Sequence, residues 1–328
     1  MSLQLQTNRS SVAEPFGFND DNYAAANASV AASASAHVSL PQLGFNAQLA
    51  AVTGKLFGQQ ASTTAPNFDA QVRGTDAKAL DMQMALISQD VYDPTSKGIT
   101  GWTRLSDDQL TQAGIDPASL EDPSTGFRAA IYQDANGDHV LAFAGSNDAK
   151  DWLNNAEQGL GLPATEYNQA VALATEAKAA FGNSLAITGH SLGGGLASIA
   201  SLATDSAAVT FNASGLNDDT IKRLIPDGDV NALKQQADTG LIRRYAIGGE
   251  ILTSVQESTP LPDAVGHKIT LNDPDPVAKP NIHWYDWADG KGEVLEAKYA
   301  VDKAKHAVDL HYIGPVITAL GNDHPWAP

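Results

Sequence analysis

The sequence predicts an α/β domain in which a mostly parallel sheet carries helices on both faces. Strand-length apolar segments, among them "SLAIT", "AAVTFNASG", "LIRRYAIG" and "HKITL", alternate with stretches of helical period. Parallel neighbours cannot be joined by a tight turn, so such alternation implies crossover helices that cover the sheet. The 328 residues, 43% of them hydrophobic, are enough to bury the core of one large domain.

Residues 1–70 differ in texture from the rest. Only Arg9, Glu14, Asp20, Asp21, Lys55 and Asp69 are charged there, and Ala24–Ala36 consists mostly of alanine and serine. Large apolar residues at regular spacing are few, so this low-complexity segment is expected to be flexible or docked on the main domain. A role in secretion or partner docking is the functional alternative. The domain proper is expected over 71–328, with no internal repeat and no later linker long enough to divide it.

Within that span "DAKALDMQMALISQDVY" has apolar residues at three- and four-residue spacing and predicts a helix. "FRAAIYQDANGDHVLAFAG" predicts a hairpin, because Asn136 and Gly137 both tolerate the positive φ of a tight turn. "ATEYNQAVALATEAKAAFGN" predicts an alanine-rich helix ended by Gly182 and Asn183, with "SLAIT" as the next strand. A further helix starts near Leu192, a polar helical stretch follows "AAVTFNASG", and the tail from about Glu293 to Leu320 reads as helical.

Composition narrows the function. A formal charge of −18 argues against nucleic acid as a partner and against electrostatic docking to anionic membranes. Without cysteine there is no disulfide, no thiol nucleophile and no thiolate-held zinc. No run of about 18 apolar residues is present. The first residues, "MSLQLQTNRSSVAEPFGFND", do not read as a Sec signal peptide, leaving export without a cleaved leader or a cytoplasmic location.

The chemistry is carried by Gly189-His190-Ser191-Leu192-Gly193, placed where a predicted strand meets a predicted helix. Gly-x-Ser-x-Gly in that setting is a nucleophile elbow. A strained serine backbone lifts the hydroxyl above the sheet, and side chains at the flanking positions would strike the neighbouring elements. The new helix offers unpaired N–H groups, including that of Leu192, and a dipole that stabilises developing negative charge. His190 adjoins the serine in a tight turn and is expected to pack beside the elbow rather than act as base.

"ITGHSLGGGLASIASL" resembles the signature of the class 3 (fungal-type) lipases of the α/β-hydrolase fold. "VLAFAGSNDAKDWLNN" resembles that family's second signature. The bacterial lipase and phospholipase branch, often found among secreted effectors, is also similar over "GFRAAIYQDANGDHVLAFAGS", "TFNASGL", "GGEILTSVQ" and "VDLHYIGPVI". The likeness spans roughly residues 75 to 320, with Ala144 standing where the family usually has arginine. It implies Ser191 as nucleophile and Ser146 as an oxyanion donor beside the Leu192 N–H. Asp151 and Trp152 would orient the Ser146 loop.

Chain order in this fold runs serine, acid, histidine. The first carboxylate beyond "LIRRYAIG" is Glu250, with Asp263 as runner-up. The base then comes from His267, His283, His306, His311 or His324. His311 is preferred because it alone fits the "VDLH…VI" pattern of the bacterial relatives, with His306 and His283 left as alternatives. Asp273-Pro-Asp275-Pro offers two carboxylates and no third ligand, so neither a metal nor a cofactor is assigned.

The resemblance implies a serine ester hydrolase acting on lipids, of lipase or phospholipase A type, possible at a membrane surface. The same machinery on a non-lipid ester or thioester is the alternative, and a catalytically silent binding protein on a hydrolase scaffold is the third. Ile282, Trp284, Tyr285 and Trp287 could line an acyl groove or touch a bilayer, or simply pack a long loop. Lid, positional specificity and oligomeric state are not legible in the sequence.

Overall fold

A computed structural model of the chain describes residues 67–146, 164–288 and 290–327. Most of the alanine- and serine-rich segment, and Asp151 and Trp152, lie outside the described residues. The boundary expected near residue 70 falls inside a short helix, α1 (Phe68–Val72), which Phe68 and Val72 anchor in the core.

The centre is a mixed sheet of nine strands among the described residues. Its antiparallel side comprises β1 (Gly98–Ile99), β2 (Trp102–Arg104), β3 (Glu121–Asp122) and β4 (Phe127–Gln133). β5 (His139–Phe143) pairs antiparallel with β4 and parallel with β6 (Leu185–His190). β7 (Ala208–Phe211), β8 (Ile242–Ile247) and β9 (His267–Leu271) continue in parallel. The sheet is therefore parallel where the predicted crossovers lie and antiparallel at its N-terminal edge.

The β4–β5 hairpin forms where Asn136-Gly137 predicts it, but only Gly137 takes positive φ (+84°). Asp134 makes the turn instead, its Oδ1 accepting from the N–H groups of Asn136 (2.8 Å) and Asp138 (2.9 Å). An aspartate side chain closing its own turn removes the need for a second left-handed residue.

Alternation along β6 distributes the two faces. Leu185 and Ile187 join Leu141, Phe143, Tyr167, Leu196 and Ile199 in the main hydrophobic cluster, beneath α4 (Ala164–Phe181) and α5 (Leu192–Thr204). Thr188 faces α2 (Leu80–Asp90), where its hydroxyl meets Ser88 Oγ at 2.9 Å. Beside α2, against β8 and β9, lies α11 (Ile313–Asp323), whose Val316, Ala319 and Leu320 are fully buried. α3 (Asp107–Gln112), α6 (Asp218–Leu224) and α7 (Val230–Gln236) complete the connections up to β8.

One buried ion pair ties the first elements to the sheet. Arg243 in β8 is 1% exposed, and its Nη2 and Nε donate to Asp81 at 2.5 and 3.1 Å. Its Nη1 donates to the carbonyls of Val72 and Gly74, while Tyr245 Oη donates to Asp81 at 2.7 Å. Removing one member of such a set strands a charge in the interior. Arg243→Met is expected to cost about 3–5 kcal/mol of unfolding free energy, measured by chemical denaturation; an unchanged midpoint would show that the pair contributes nothing.

Candidate active site

The elbow forms at the C-terminal end of β6. Ser191 adopts φ +58° and ψ −126°, a conformation rare for any residue with a side chain. Backbone bonds hold it there: Ser191 N–H donates to Phe211 C=O at 3.1 Å, and Ser191 C=O accepts from Ser214 N–H at 3.0 Å. Both partners belong to β7 or the turn just after it, so the neighbouring strand braces the strain.

The surrounding glycines are required by space. A Cβ on Gly193 would overlap the carbonyl of Phe143 in β5, and one on Gly189 would overlap the carbonyl of Gly193. A Cβ on Gly194 would come within 2.7 Å of the Ala213 methyl. Each interior glycine costs a helix about 1 kcal/mol relative to alanine. That penalty is accepted in α5 because the helix start must lie directly on the sheet.

Glu250 follows β8 through Gly248 and Gly249, the latter at φ +85°. It is fully buried at the N-cap of α8 (Ile251–Ser258). Its Oε1 accepts from Leu252 N–H at 2.6 Å and its Oε2 from Thr253 N–H at 2.9 Å. The capping contacts satisfy the carboxylate and fix its orientation, and the start of the helix favours its negative charge.

His311 sits in a break that the sequence reading missed. The tail expected as helix from Glu293 to Leu320 is two helices, α10 (Lys291–Asp309) and α11, separated by Leu310–Tyr312. The signal was Pro315. In an unbroken helix residue 315 would donate to the carbonyl of His311, but proline has no N–H and its ring crowds that carbonyl. The freed carbonyl accepts instead from His190 Nε2–H (2.7 Å) and Asn212 Nδ2–H (3.0 Å). The break turns the imidazole toward the elbow.

Three side chains from distant parts of the chain therefore meet. His311 Nε2 lies 2.8 Å from Ser191 Oγ, and His311 Nδ1 lies 2.6 Å from Glu250 Oε1. Glu250, His311 and Ser191 are at most 6% exposed. A carboxylate at Nδ1 favours the tautomer with its proton on that nitrogen, which leaves Nε2 free to accept from a hydroxyl.

The other sequence candidates lie elsewhere. Asp263 is exposed, and its backbone carbonyl accepts from Leu216 N–H at 3.3 Å. His306 Nε2 is 2.8 Å from Asp273 Oδ2, so those two residues pair with each other. His283 is exposed and stacks on Tyr285, His267 begins β9, and His324 caps the end of α11 beside Trp326.

Ser146 lies just beyond β5, exposed to solvent. Phe143 is level with Gly189 in the parallel register, which brings Gly145 level with Ser191. A Cβ on Gly145 would stand 3.2 Å from the Ser191 Cβ. Ser146 follows directly on Gly145, and the N–H of Leu192 opens α5 with no acceptor within the helix. Ala144, where the resembled family usually has arginine, is buried and donates its N–H to Arg128 C=O at 3.0 Å.

His190 does more than pack. Its ring connects Tyr92 Oη, 3.0 Å from Nδ1, to the His311 carbonyl. Burial, and secondarily the neighbouring His311, push its pKa down to about 3, so it is neutral at ordinary pH. Asn212, at φ +40°, also escaped the sequence reading; its amide spans the His311 and Leu310 carbonyls and the N–H of Ile247.

Against known proteins, residues 83–289 match the family model of the Tle-like phospholipase domain. An extracellular phospholipase A1 of Serratia liquefaciens is 45% identical over 267 residues, covering 81% of this chain and 78% of that protein. Among solved structures, the Rhizomucor miehei triacylglyceride lipase aligns over 60% of this chain and 82% of its own, at 12% identity and a TM-score of 0.40. The Lip2 lipase of Yarrowia lipolytica aligns over 63% and 83%, at 12% identity and a TM-score of 0.38. On the extent of the family match and the Serratia identity, the chain belongs to the family of the Tle-like phospholipase domain.

Proposed function

We propose that the chain is a phospholipase of A1 type that works through an acyl-enzyme on Ser191. The observation that carries this reading is the unbroken run from Glu250 through His311 to Ser191, with contacts of 2.6 and 2.8 Å. His311 Nε2 removes the hydroxyl proton as Ser191 Oγ attacks the carbonyl carbon of an acyl ester. The C=O π pair moves onto oxygen, and the N–H of Leu192 and Ser146 receive the resulting oxyanion. Collapse re-forms the carbonyl and expels the lysophospholipid alkoxide, which takes the proton from His311. Water, deprotonated by the same histidine, then cleaves the acyl-enzyme and restores the serine.

Glu250 stabilises the imidazolium formed in both halves of the cycle and holds its tautomer. A single oxyanion donor is worth about 3 kcal/mol of barrier in comparable sites. That magnitude makes the pairing of Ser146 with Leu192 a substantial part of the proposed rate enhancement.

The lipid assignment is supported by the Serratia relative, named a phospholipase A1, and by an exposed apolar surface. Trp284 (82% exposed), Tyr285 and Trp287 project from α9 (Trp284–Ala288), with Val294 and Val301 exposed on α10. Only part of this cluster packs locally, Trp287 lying over Gly292. Tryptophan and tyrosine favour the membrane–water boundary. Contact with a bilayer through this surface needs no positive field, in keeping with the net charge of −18. The relative is named extracellular, and we propose the same setting for this chain.

The experiment uses phosphatidylcholine with different acyl chains at its two positions. The sn-1 acid should be released by the wild type, and Ser191→Ala should lower turnover by at least about 10⁴-fold. Release of the sn-2 acid alone would overturn the A1 assignment, and activity confined to short soluble esters would overturn the lipid assignment. Undiminished activity in Ser191→Ala would overturn the mechanism. Glu250→Gln should keep a folded protein and reduce kcat by about 10³–10⁴-fold; a loss below tenfold would assign Glu250 to helix capping alone.

A further inference from the structure

Along α10, valine recurs every seventh residue, at Val294, Val301 and Val308, with Ala297 and Ala304 between them. Seven residues make almost two full turns, so these side chains share one side of the helix. Val294 is 68% and Val301 53% exposed, Ala297 and Ala304 are exposed, and Val308 is half-buried. The opposite side faces the rest of the domain. Leu295, Tyr299, Asp302 and His306 are half-buried along it, and His306 Nε2 reaches Asp273 Oδ2 at 2.8 Å. The helix is thus held by one side while a continuous apolar stripe on the other meets solvent.

A row of lysines borders that stripe. Lys291, Lys298 and Lys305 are also seven apart, on one flank of the valines. Lys298 comes within 3.9 Å of Asp302 as well. In a chain of net charge −18, α10 is formally neutral, since Lys291, Lys298, Lys303 and Lys305 match Glu293, Glu296, Asp302 and Asp309. Ahead of the helix, α9 packs on its first turn where Trp287 meets Gly292, and α9 carries the exposed rings of Trp284 and Tyr285.

We propose that α10 lies flat in the surface of a phosphatidylcholine bilayer, its valine–alanine stripe inward and its lysine row at the lipid phosphates. The inference rests on the lipid reading above and deepens it by giving the bilayer contact an orientation. The lysine stems extend the apolar surface while their ammonium groups rise to the phosphates. Trp284 and Tyr285 set the depth at one end. Phosphatidylcholine offers phosphates without a net negative surface, so the acidic chain is not repelled, whereas two chains of charge −18 repel each other and disfavour a second copy as occupant. Among the described residues no helix is long and apolar enough to cross a membrane, so the contact runs along the surface. The 19 residues of α10 span about 28 Å and end two residues before His311. A flat α10 therefore lays the side of the domain that carries the proposed base along the interface.

Because the chain has no cysteine, a thiol-reactive nitrobenzoxadiazole dye can be placed at single chosen positions of the full chain. The test labels Val294→Cys, Val301→Cys and Ala304→Cys on the stripe, and Glu296→Cys and Lys303→Cys off it. Reduction of the dye by dithionite is timed with and without vesicles of dialkyl ether phosphatidylcholine, which has the phosphate but no ester to cleave. Vesicles should slow reduction about tenfold at the three stripe positions and by less than about twofold at the other two. Protection at Val294→Cys alone, at all five positions or at none would overturn the flat orientation. Protection without vesicles that grows with protein concentration would assign the stripe to a second copy instead. Lys305→Glu should weaken partition onto the vesicles about threefold, and Lys303→Glu, the same charge change off the row, by less than half as much. Equal losses would overturn the part given to the lysine row. Hydrolysis of ester phosphatidylcholine by the wild type separates the two failures. Acid release with the stripe still in water refutes only the orientation, whereas a stripe in the bilayer with no acid released refutes the phospholipase reading.

Discussion

The site depends on the close approach of α5 to β5 and β6. Gly193 lies so near the Phe143 carbonyl, and Gly189 so near the Gly193 carbonyl, that neither position has room for a methyl group. That contact lets β6 pass into α5 with no intervening loop and forces Ser191 to φ +58°. In the proposed mechanism the strain has a chemical use, since it raises the hydroxyl above the strand ends and aims the first N–H groups of α5 at the same point. Bonds from Phe211 and Ser214 to the Ser191 backbone show where the compensation comes from: the parallel neighbour carries part of the cost.

Glu250 and His311 reach this point by different physical means. Glu250 is held by the helix it caps, so its two oxygens are oriented by the N–H groups of Leu252 and Thr253 before any histidine is considered. His311 is held through its backbone, by a carbonyl that Pro315 leaves without a helical partner. The proposed acid is oriented because a helix begins there, and the proposed base faces the elbow because a helix ends there. His190 and Asn212 restore the lost restraint from the ends of β6 and β7.

Much of this was legible in the residues. The alternation of strands and helices gave the sheet its parallel half, and Gly-His-Ser-Leu-Gly at a strand–helix junction pointed to the elbow. Chain order and resemblance singled out Glu250 and His311, and the two lie in contact with each other. The helical tail misled because its apolar period runs on across Leu310–Tyr312, and only a proline four residues beyond His311 marks the break. For His190, adjacency to Ser191 argues against a base and predicts packing, but says nothing about the partners its ring meets. Asn212 had no local signal at all, since its partners lie 98 and 99 residues further along the chain.

The proposed mechanism turns on Ser191 as its activated nucleophile. Its most direct test is the reaction of the intact protein with diethyl p-nitrophenyl phosphate, in which serine oxygen displaces p-nitrophenolate at phosphorus. Mass spectrometry of the whole chain and of its peptides should show a single diethyl phosphoryl adduct, located on Ser191, and none after the same treatment of His311→Ala. An adduct on another residue, or equal labelling of Ser191 without His311, would contradict it.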